Sequence, residues 1–257
     1  MLVDVHCHLD HIDFREDIDN VIERAKQAGV SVIIANGINP ETNRIVLELS
    51  KKYGIVKPAL GIYPIDALTN EIKAGEYPLK TEPFNIDEEI EFIKKQKIIA
   101  LGEVGLDFKD GKQYEKQQKE VFSKFIALAE KMKKPIIVHS RKAEQDVIDM
   151  LESSSIKKAV LHCFSGKFKL VKKGADLGYH FSIPTNVVRS QQFQDLVKEV
   201  GINQLLSETD APYLSPFPGR RNEPAFVIES VKKIAEIKKF EFEEVKNNLF
   251  LNYRRLF

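Results

Sequence analysis

The sequence predicts a single α/β domain over residues 1–257, a closed (β/α)8 barrel of the TIM type. Three observations support this fold. Eight short segments rich in β-branched residues alternate with longer amphipathic segments. Most of the short segments are apolar throughout, as in parallel strands that are covered on both faces. The first is followed by His6-Cys7-His8 rather than by the glycine-rich loop of an open doubly wound sheet.

The predicted strands are short and evenly distributed along the chain. They cover residues 2–5, 31–35, 55–60, 98–101, 135–138, 159–161, 179–183 and 204–207. The predicted helices cover residues 15–27, 40–53, 87–95, 114–133, 143–151, 168–177, 190–200 and 225–256, the last with a break near Lys239. Gly29 is a suitable stop for the first helix, and Asn39 before Pro40 is a suitable start for the second.

One connection is longer than the others. It runs from residue 62 to residue 84 and contains three prolines. We expect a loop insertion over the barrel mouth here rather than a second domain.

Composition indicates an ordinary globular protein, with 43% hydrophobic residues and a formal net charge of +1. Bulk charge therefore does not hold the chain on nucleic acid, and any such contact must be local. The two cysteines form no disulfide framework, no segment is apolar enough to cross a membrane, and a strand beginning at Leu2 leaves no room for a signal peptide. We expect a cytoplasmic protein without a membrane or an obligate protein partner.

Histidines and carboxylates stand at the ends of five predicted strands. Residues two apart on a strand point the same way, so His6 and His8 can bind one ion together. In a barrel, all strand ends converge on one face, where active sites are built. Each of these residues alone has an ordinary structural explanation, as a turn residue or a helix cap. Their convergence predicts a metal site made by His6, His8, Glu103, His139, His162 and Asp210.

Six ligands are too many for one catalytic ion that keeps an open position, so we expect two divalent ions. Glu103 is the natural bridge because its carboxylate has two oxygens. One ion would take His6, His8, Asp210 and Glu103, and the other His139, His162 and Glu103. Imidazole and carboxylate ligands suit Mg²⁺, Mn²⁺ or Zn²⁺. The expected chemistry is attack by a bridging hydroxide, with Asp210 as general base and Glu103 also catalytic.

Several of these residues belong to longer motifs that resemble the TatD family of metal-dependent deoxyribonucleases, within the amidohydrolase superfamily. The motifs are His6-Cys7-His8-Leu9-Asp10, Gly102-Glu103-Val104-Gly105-Leu106-Asp107, His139-Ser140-Arg141, His162-Cys163-Phe164-Ser165-Gly166 and Glu208-Thr209-Asp210-Ala211-Pro212-Tyr213-Leu214. The resemblance implies a TIM barrel, two divalent ions and hydrolysis of DNA, often from the 3′ end. It also implies that the six residues are ligands and that Glu208 is an acid that supports a ligand.

The chain departs from the family on the substrate side. Gly61-Ile62-Tyr63-Pro64 replaces Gly-x-His-Pro, so a tyrosine stands where the family has a histidine near the substrate phosphate. Tyr63 can still donate a hydrogen bond, but it brings no positive charge. Arg141 lies two residues after His139, and Arg221 precedes a helix start where Asn222 could cap. We therefore expect substrate phosphate to contact Tyr63, Arg141 and Arg221, the alternative for Arg221 being a plain surface arginine.

Three functions follow, in order of preference. The first is a DNase with 3′–5′ exonuclease character, whose partner is DNA with single-stranded or 3′ ends. The second is a carboxyl-ester or amide hydrolase, such as a D-aminoacyl-tRNA deacylase or a lactonase, which the replacement of histidine by Tyr63 favours slightly. The third is a metal-stabilised barrel that acts as a binding partner, which an open metal mouth disfavours. Cys7 and Cys163 are expected to pack beside the ligands rather than act as nucleophiles.

Overall fold

The eight predicted strands form one parallel sheet in sequence order. The computed structural model describes residues 1–72 and 82–257. The strands are β1 Leu2–Cys7, β2 Val30–Asn36, β3 Val56–Leu60, β4 Ala100–Asp107, β5 Ile136–Arg141, β6 Ala159–His162, β7 His180–Ile183 and β8 Leu205–Ser207.

The sheet curls until its last strand returns to its first. The Ser207 hydroxyl donates to the Val3 carbonyl at 2.7 Å, and the backbone N–H of Asp210 donates to the His6 carbonyl at 2.9 Å. These bonds bring the end of β8 beside β1, and the predicted TIM-type barrel is confirmed.

A helix follows each strand, and the chain ends in an additional one. The helices are α1 Ile18–Gln27, α2 Pro40–Lys52, α3 Ile86–Lys94, α4 Glu115–Met132, α5 Glu144–Glu152, α6 Phe168–Asp176, α7 Gln191–Glu199, α8 Val227–Lys238 and α9 Phe242–Leu256. Asn39 caps α2 as predicted, with its side chain accepting from the Thr42 N–H. Lys239 adopts a left-handed φ of 57° where the break in the last predicted helix was expected.

Several boundaries differ from the sequence prediction, among them the start of α1 and the end of β4. Helix α1 begins three residues late because Ile12–Phe14 forms a separate short 3-10 turn capped by His11. Strand β4 continues to Asp107, well past the predicted end at Leu101. Gly102 lets β4 lie close to β5, since a Cβ at this position would come within 2.8 Å of the Ile137 Cβ.

The apolar core has two layers. The larger layer fills the space between the sheet and the helices, with Phe122, Phe125 and Phe181 among its fully buried side chains. The smaller layer fills one end of the barrel interior, which we call the barrel base. It consists of Val3, Val5, Ile34, Ala59, Ala100, Ile137, Val160 and Leu206, with Leu256 of α9 packed against them.

The predicted connection over 62–84 falls partly outside the described residues, which stop at 72 and resume at 82. Its first part contains a 3-10 turn, Asp66–Leu68, and its apolar side chains Ile65, Leu68 and Ile72 pack against Tyr63 and Tyr114. Among the helices in the described ranges, none offers a stretch that is both long and apolar enough to cross a bilayer.

Candidate metal centre

The six residues singled out in the sequence meet at the carboxyl ends of the strands. His6 lies in β1 and His8 just beyond it, while Glu103, His139 and His162 lie in β4, β5 and β6. Asp210 follows β8 and adopts a left-handed φ of 56°, a conformation that aspartate tolerates better than most residues. The backbone of each strand therefore carries one or two of the side chains into a common cluster.

Four ligand-type atoms of this cluster form one compact group. The Nε2 atoms of His6 and His8 lie 3.3 Å apart. The Glu103 Oε2 atom lies 3.5 Å from the first and 3.4 Å from the second. The Asp210 Oδ1 atom lies 3.5 Å from each. Tetrahedral ligands at about 2.1 Å from a zinc-sized ion would be about 3.4 Å apart, so these five distances suit such an ion. His6, His8 and Glu103 offer ligand atoms that all lie within 4.8 Å of one another.

The His8 ring is oriented for this role. Its Nδ1 lies 3.2 Å from the Asn36 carbonyl oxygen, which can accept a hydrogen bond but not donate one. Nδ1 therefore carries a proton, which turns Nε2 toward the group, where it would bind an ion once its own proton is displaced. Burial opposes the charged form of His8, but a hydrogen bond to Asp210 and the charge of Glu103 outweigh it and raise its pKa to about 9. The same negative potential favours a bound cation.

A second group lies on the other side of Glu103. Its Oε1 atom is 2.7 Å from the Nδ1 of His139 and 3.7 Å from the Nε2 of His162. The two carboxylate oxygens of Glu103 thus face different histidine pairs. The Glu103 side chain is 4% exposed, and hydrogen bonds from His139 and His6 outweigh burial and hold its pKa well below the ordinary value. Glu103 is therefore an ionised carboxylate shared between two sets of donors.

Glu208 contacts one histidine of the second group. Its Oε2 atom lies 3.0 Å from the Nδ1 of His162, and its Oε1 atom accepts from the backbone N–H of Cys163 at 3.0 Å. Burial opposes a charged His162, but the charge of Glu208 and its hydrogen bond outweigh burial and raise the pKa of His162 to about 10. The carboxylate leaves the Nε2 of His162 turned toward Glu103.

Asp107 contacts His139 as Glu208 contacts His162, and it was not identified as a site residue from the sequence. Its Oδ2 atom accepts from the Tyr63 hydroxyl at 2.7 Å and lies 3.2 Å from the Nε2 of His139. Its Oδ1 atom accepts from the backbone N–H groups of Lys109 and Asp110 at 3.0 and 3.1 Å. Asp107 is four residues after Glu103 on β4, so period-two spacing would have revealed it if the strand had been extended past Leu101.

The three side chains expected to contact substrate phosphate, Tyr63, Arg141 and Arg221, all form hydrogen bonds within the protein. Tyr63 donates its hydroxyl proton to Asp107, so phosphate binding by this group stays a prediction. Arg141 pairs with Asp110 at 3.0 Å, and its side chain is 43% exposed, which leaves it at the edge of the mouth.

Arg221 binds Asp17 through two parallel hydrogen bonds of 2.9 and 2.8 Å. Its guanidinium also lies over the Phe14 ring, 4.6 Å from the centroid. Asn222 does not cap a helix as expected, because α8 begins only at Val227 and the Asn222 amide instead donates to the Thr209 carbonyl at 2.8 Å. The expectation of a helix N-terminal anion site at Arg221 is therefore wrong in its geometry.

The two cysteines lie beside the cluster without reactive character. Cys7 is fully buried, and Cys163 directly follows His162 with a left-handed φ of 43°. Burial and the surrounding carboxylates raise the pKa of both thiols well above the ordinary value. A thiol in this state is a poor nucleophile, in agreement with the packing role expected for both residues.

A barrel with imidazole and carboxylate groups gathered at the carboxyl ends of its strands has the construction of a metal-dependent hydrolase. Comparison with known proteins gives the family. The family model described as TatD related DNase matches residues 3–257, and the chain belongs to this family, which confirms the resemblance found in the sequence. It is a metal-dependent hydrolase that acts on ester bonds.

The chain is similar to curated proteins over nearly its full length. It is 37% identical to the human protein named deoxyribonuclease TATDN3 over 264 residues, which cover 100% of this chain and 94% of the relative. It is 37% identical to an uncharacterized metal-dependent hydrolase of Methanocaldococcus jannaschii over 255 residues, which cover 99% of this chain and 96% of the relative.

Solved structures share the fold. The TatD homologue YjjV of Escherichia coli superposes with a TM-score of 0.88 at 25% identity, over 100% of this chain and 97% of that one. A TatD family hydrolase of Entamoeba histolytica superposes with a TM-score of 0.85 at 22% identity, over 100% and 97% of the two chains.

Proposed function

We propose that the chain is a deoxyribonuclease that holds two divalent ions and removes nucleotides from the 3′ ends of DNA. The observation that carries the proposal is the position of the Glu103 carboxylate between two pairs of histidines. Its Oε2 faces His6 and His8, while its Oε1 faces His139 and His162. A carboxylate with donors on both sides is the expected bridge of a two-metal site. The name of the human relative, a deoxyribonuclease, supports DNA as the substrate.

In this proposal, six side chains bind the two ions, and one of them, Asp210, also accepts a proton. His6, His8 and Asp210 with Glu103 would hold one ion, and His139 and His162 with Glu103 the other. When bound, such ions lower the pKa of a water and stabilise charge on the attacking and leaving oxygens.

Asp210 is the more accessible of the two carboxylates, with its side chain 15% exposed against 4% for Glu103. Burial would raise the pKa of Asp210, but the hydrogen bond from His8 outweighs it and keeps the pKa below the ordinary value. The carboxylate is therefore ionised at neutral pH, and we assign it the role of taking a proton from the attacking water.

Charge around the mouth supports an anionic substrate. With two divalent ions bound, the carboxylates of the cluster would be neutralised, and further cations at the mouth would add to the attraction for a phosphate. The loops after β4, β5, β6, β7 and β8 each carry one cation that has no carboxylate partner within residues 1–72 and 82–257. These cations are Lys109, Lys142, Lys167, Arg189 and Arg220. A local set of cations of this kind suits a nucleic-acid backbone in a chain whose net charge is only +1.

A second candidate is hydrolysis of a carboxyl ester or amide, as in a D-aminoacyl-tRNA deacylase or a lactonase. Two groups that were expected to contact phosphate are engaged elsewhere, which favours this candidate. The Tyr63 hydroxyl donates to Asp107, and Arg221 is paired with Asp17. The same group of ligands can polarise a carbonyl as well as a phosphoryl oxygen.

The test is hydrolysis of short DNA strands labelled at the 3′ or the 5′ end. Metal-stripped protein is supplied with Mg²⁺, Mn²⁺, Zn²⁺ or no metal, and bound metal is counted per chain. We expect metal-dependent release of 3′ nucleotides and two ions per chain. Glu103→Gln removes a proposed ligand and should lower the rate by more than about 100-fold. A loss of about 100-fold is the upper end of what removal of a group that only supports a ligand causes. The control Glu91→Gln, at a residue with a 57% exposed side chain, should match the wild type.

Two results would contradict the proposal. The first is protein loaded with two ions that releases no nucleotide from either end with any metal. The second is a Glu103→Gln variant that keeps full activity. After the first result, D-aminoacyl esters and lactones would be the substrates to measure, since the metal site would be intact and only the bond would differ.

A further inference from the structure

Exposed apolar side chains concentrate around the mouth of the barrel. Seven large hydrophobic side chains are exposed in the described part of the chain, and four of them lie in or directly after loops that follow β1, β6 and β8. These four are Ile12, Phe168, Tyr213 and Phe217. Exposed apolar groups beside a functional cluster commonly mark a binding surface.

Tyr213 borders the metal centre. Its ring is in edge contact with two histidines, at centroid distances of 6.3 Å to His8 and 5.6 Å to His11, with interplanar angles of 68° and 75°. His8 is one of the proposed ligands. Tyr213 is nevertheless 49% exposed. The histidines touch the ring in edge-on geometry, and about half of the residue remains open to a ligand at the mouth.

The backbone fixes Tyr213 relative to Asp210. The Tyr213 N–H donates to the Asp210 carbonyl at 2.9 Å, and the Asn222 amide donates to the Tyr213 carbonyl at 2.6 Å. Asn222 is fully buried, and the same amide also holds the Thr209 carbonyl at 2.8 Å. The turn that positions the proposed proton acceptor therefore also positions the ring. A ring fixed in advance loses little conformational entropy when it binds a ligand.

We infer that Tyr213 is a stacking platform for the nucleobase at the 3′ end of a DNA strand whose terminal phosphodiester lies at the metal centre. The inference rests on the proposed function and adds a recognition element to it. An aromatic face stacks on every base, so the contact tolerates any sequence. It also requires a base with a free face, which selects single strands and frayed ends over an intact duplex.

The loop that carries Tyr213 also supplies a cation. The Arg220 guanidinium lies over the Phe226 ring at 4.4 Å and within 5.7 Å of the Phe217 centroid. Within the described ranges Arg220 has no carboxylate partner. Aromatic rings and an unpaired arginine on one loop are the combination that single-stranded nucleic acid uses, with bases on the rings and phosphates on the cation.

The kinetic test compares two variants on two substrates. Tyr213→Leu removes the ring and Tyr213→Phe keeps it, and the substrates are an oligothymidylate and the same strand with an abasic 3′ residue. We expect Tyr213→Leu to raise KM for the intact strand by about 5- to 150-fold, with a smaller change in kcat. On the abasic strand, KM should be the same for Tyr213→Leu and the wild type. Tyr213→Phe should behave as the wild type on both.

Phe240→Leu is the matched control. Phe240 is 40% exposed, like the mouth aromatics, but lies between α8 and α9 outside the strand-end loops. Its KM should be unchanged on both substrates.

A binding readout separates stacking from catalysis. The chain has no tryptophan, so Tyr213→Trp introduces a unique fluorophore at the platform. In the metal-loaded protein, with strands whose 3′-terminal linkage is chemically resistant to hydrolysis, the intact strand should quench its emission and the abasic strand should quench it less. Phe240→Trp should respond to neither. Fluorescence polarisation of labelled DNA in the same samples reports whether the strand is bound.

The outcomes are distinct. If the wild type hydrolyses DNA but Tyr213→Leu leaves KM unchanged, or raises it equally for intact and abasic ends, the inference is overturned and the proposed function stands. Bound DNA that quenches Tyr213→Trp equally with and without the terminal base overturns it as well. If the wild type neither binds nor hydrolyses DNA, both the inference and the proposed function are contradicted.

Discussion

The two ends of the barrel interior both contain fully buried side chains but are chemically opposite. At the barrel base, Val5 and Ile137 are 0% exposed, and at the mouth, so are His6 and Glu208. Burial of the apolar side chains stabilises the fold by removing hydrocarbon from water. Burial of the mouth residues has a free-energy cost unless each is paired or bound to a cation. The base thus supplies stability, and the mouth holds a function that this stability supports.

The transition between these ends coincides with irregular pairing in two strands. In β1, the register with β2 shifts between Asp4 and Cys7, and in β4, the register with β5 shifts between Leu101 and Val104. Regular alternation after Ala100, which faces the interior, would turn Glu103 outward. A register shift re-aims the following side chains. Two strands therefore change from apolar to polar interior residues at the positions where their pairing is displaced.

The largest effect on stability should come from the barrel base. Ile137→Ala removes most of a fully buried side chain and should lower the free energy of unfolding by about 2–5 kcal/mol. The loss should be equal with and without divalent metal, and kcat/KM per folded molecule should be unchanged. Urea unfolding with and without chelator measures the first, and activity corrected for the folded fraction measures the second. A changed metal stoichiometry in this variant would show that base and mouth are coupled.

The metal site should contribute the next largest effect. An ion present at about 100 times its dissociation constant stabilises the folded state by about 2.7 kcal/mol. Chelation should therefore lower the melting temperature of the wild type, and thermal unfolding with and without added metal measures the difference. Glu103→Gln should abolish most of it, because both groups of donors lose their shared carboxylate. A Glu103→Gln variant that keeps the full metal-dependent shift would show that the ions bind elsewhere.

The barrel base is predictable from the sequence, whereas the mouth is predictable only in part. The apolar runs of the base and the side chains at the strand ends could be read directly, since composition and period-two spacing determine both. Strand β4 past Leu101 could not, because Gly102 and Gly105 look like a turn and the register shift breaks the alternation. Asp107 was missed for that reason.

The partners of charged side chains across the mouth could not be predicted either. Arg221 and Asp17 are far apart in the chain, and only the barrel's closure brings them together. Whether an arginine faces a substrate or a neighbouring carboxylate depends on such tertiary pairing. Sequence motifs contain no direct signal for it.

Asp107→Asn should have a smaller and more local effect on the mouth. The asparagine keeps the size of the side chain but no longer offers His139 a charged partner. Loss of such a partner weakens metal affinity or activity by about 10- to 100-fold. Metal titration by calorimetry should show one weakened site while the other keeps its affinity. Asp110→Asn, on the same loop and paired with Arg141, is the control and should leave both sites unchanged. Equal weakening of both sites would argue against an orienting role for Asp107.

The smallest effect should come from Asp17, at the rim of the mouth. Hydrogen bonds from Arg221, the largest contribution, and from Arg24 hold the pKa of Asp17 below its ordinary value. The folded pKa thus lies below the unfolded one, so the stabilisation is present above about pH 4 and is lost as the pH falls through the folded pKa. At pH 7, Asp17→Asn should lower the free energy of unfolding by about 0.5–1 kcal/mol.

The same variant decides the role of Arg221. If Arg221 anchors the loop through Asp17, then Asp17→Asn and Arg221→Gln should destabilise to a similar extent and leave KM for DNA unchanged. If Arg221 binds substrate phosphate, Asp17→Asn should lower KM by releasing the guanidinium, whereas Arg221→Gln should raise it. Urea unfolding and steady-state kinetics on single-stranded DNA separate the two cases. The two parallel hydrogen bonds to Asp17 favour the first, since a guanidinium bound in this way must lose both bonds before it can reach a phosphate.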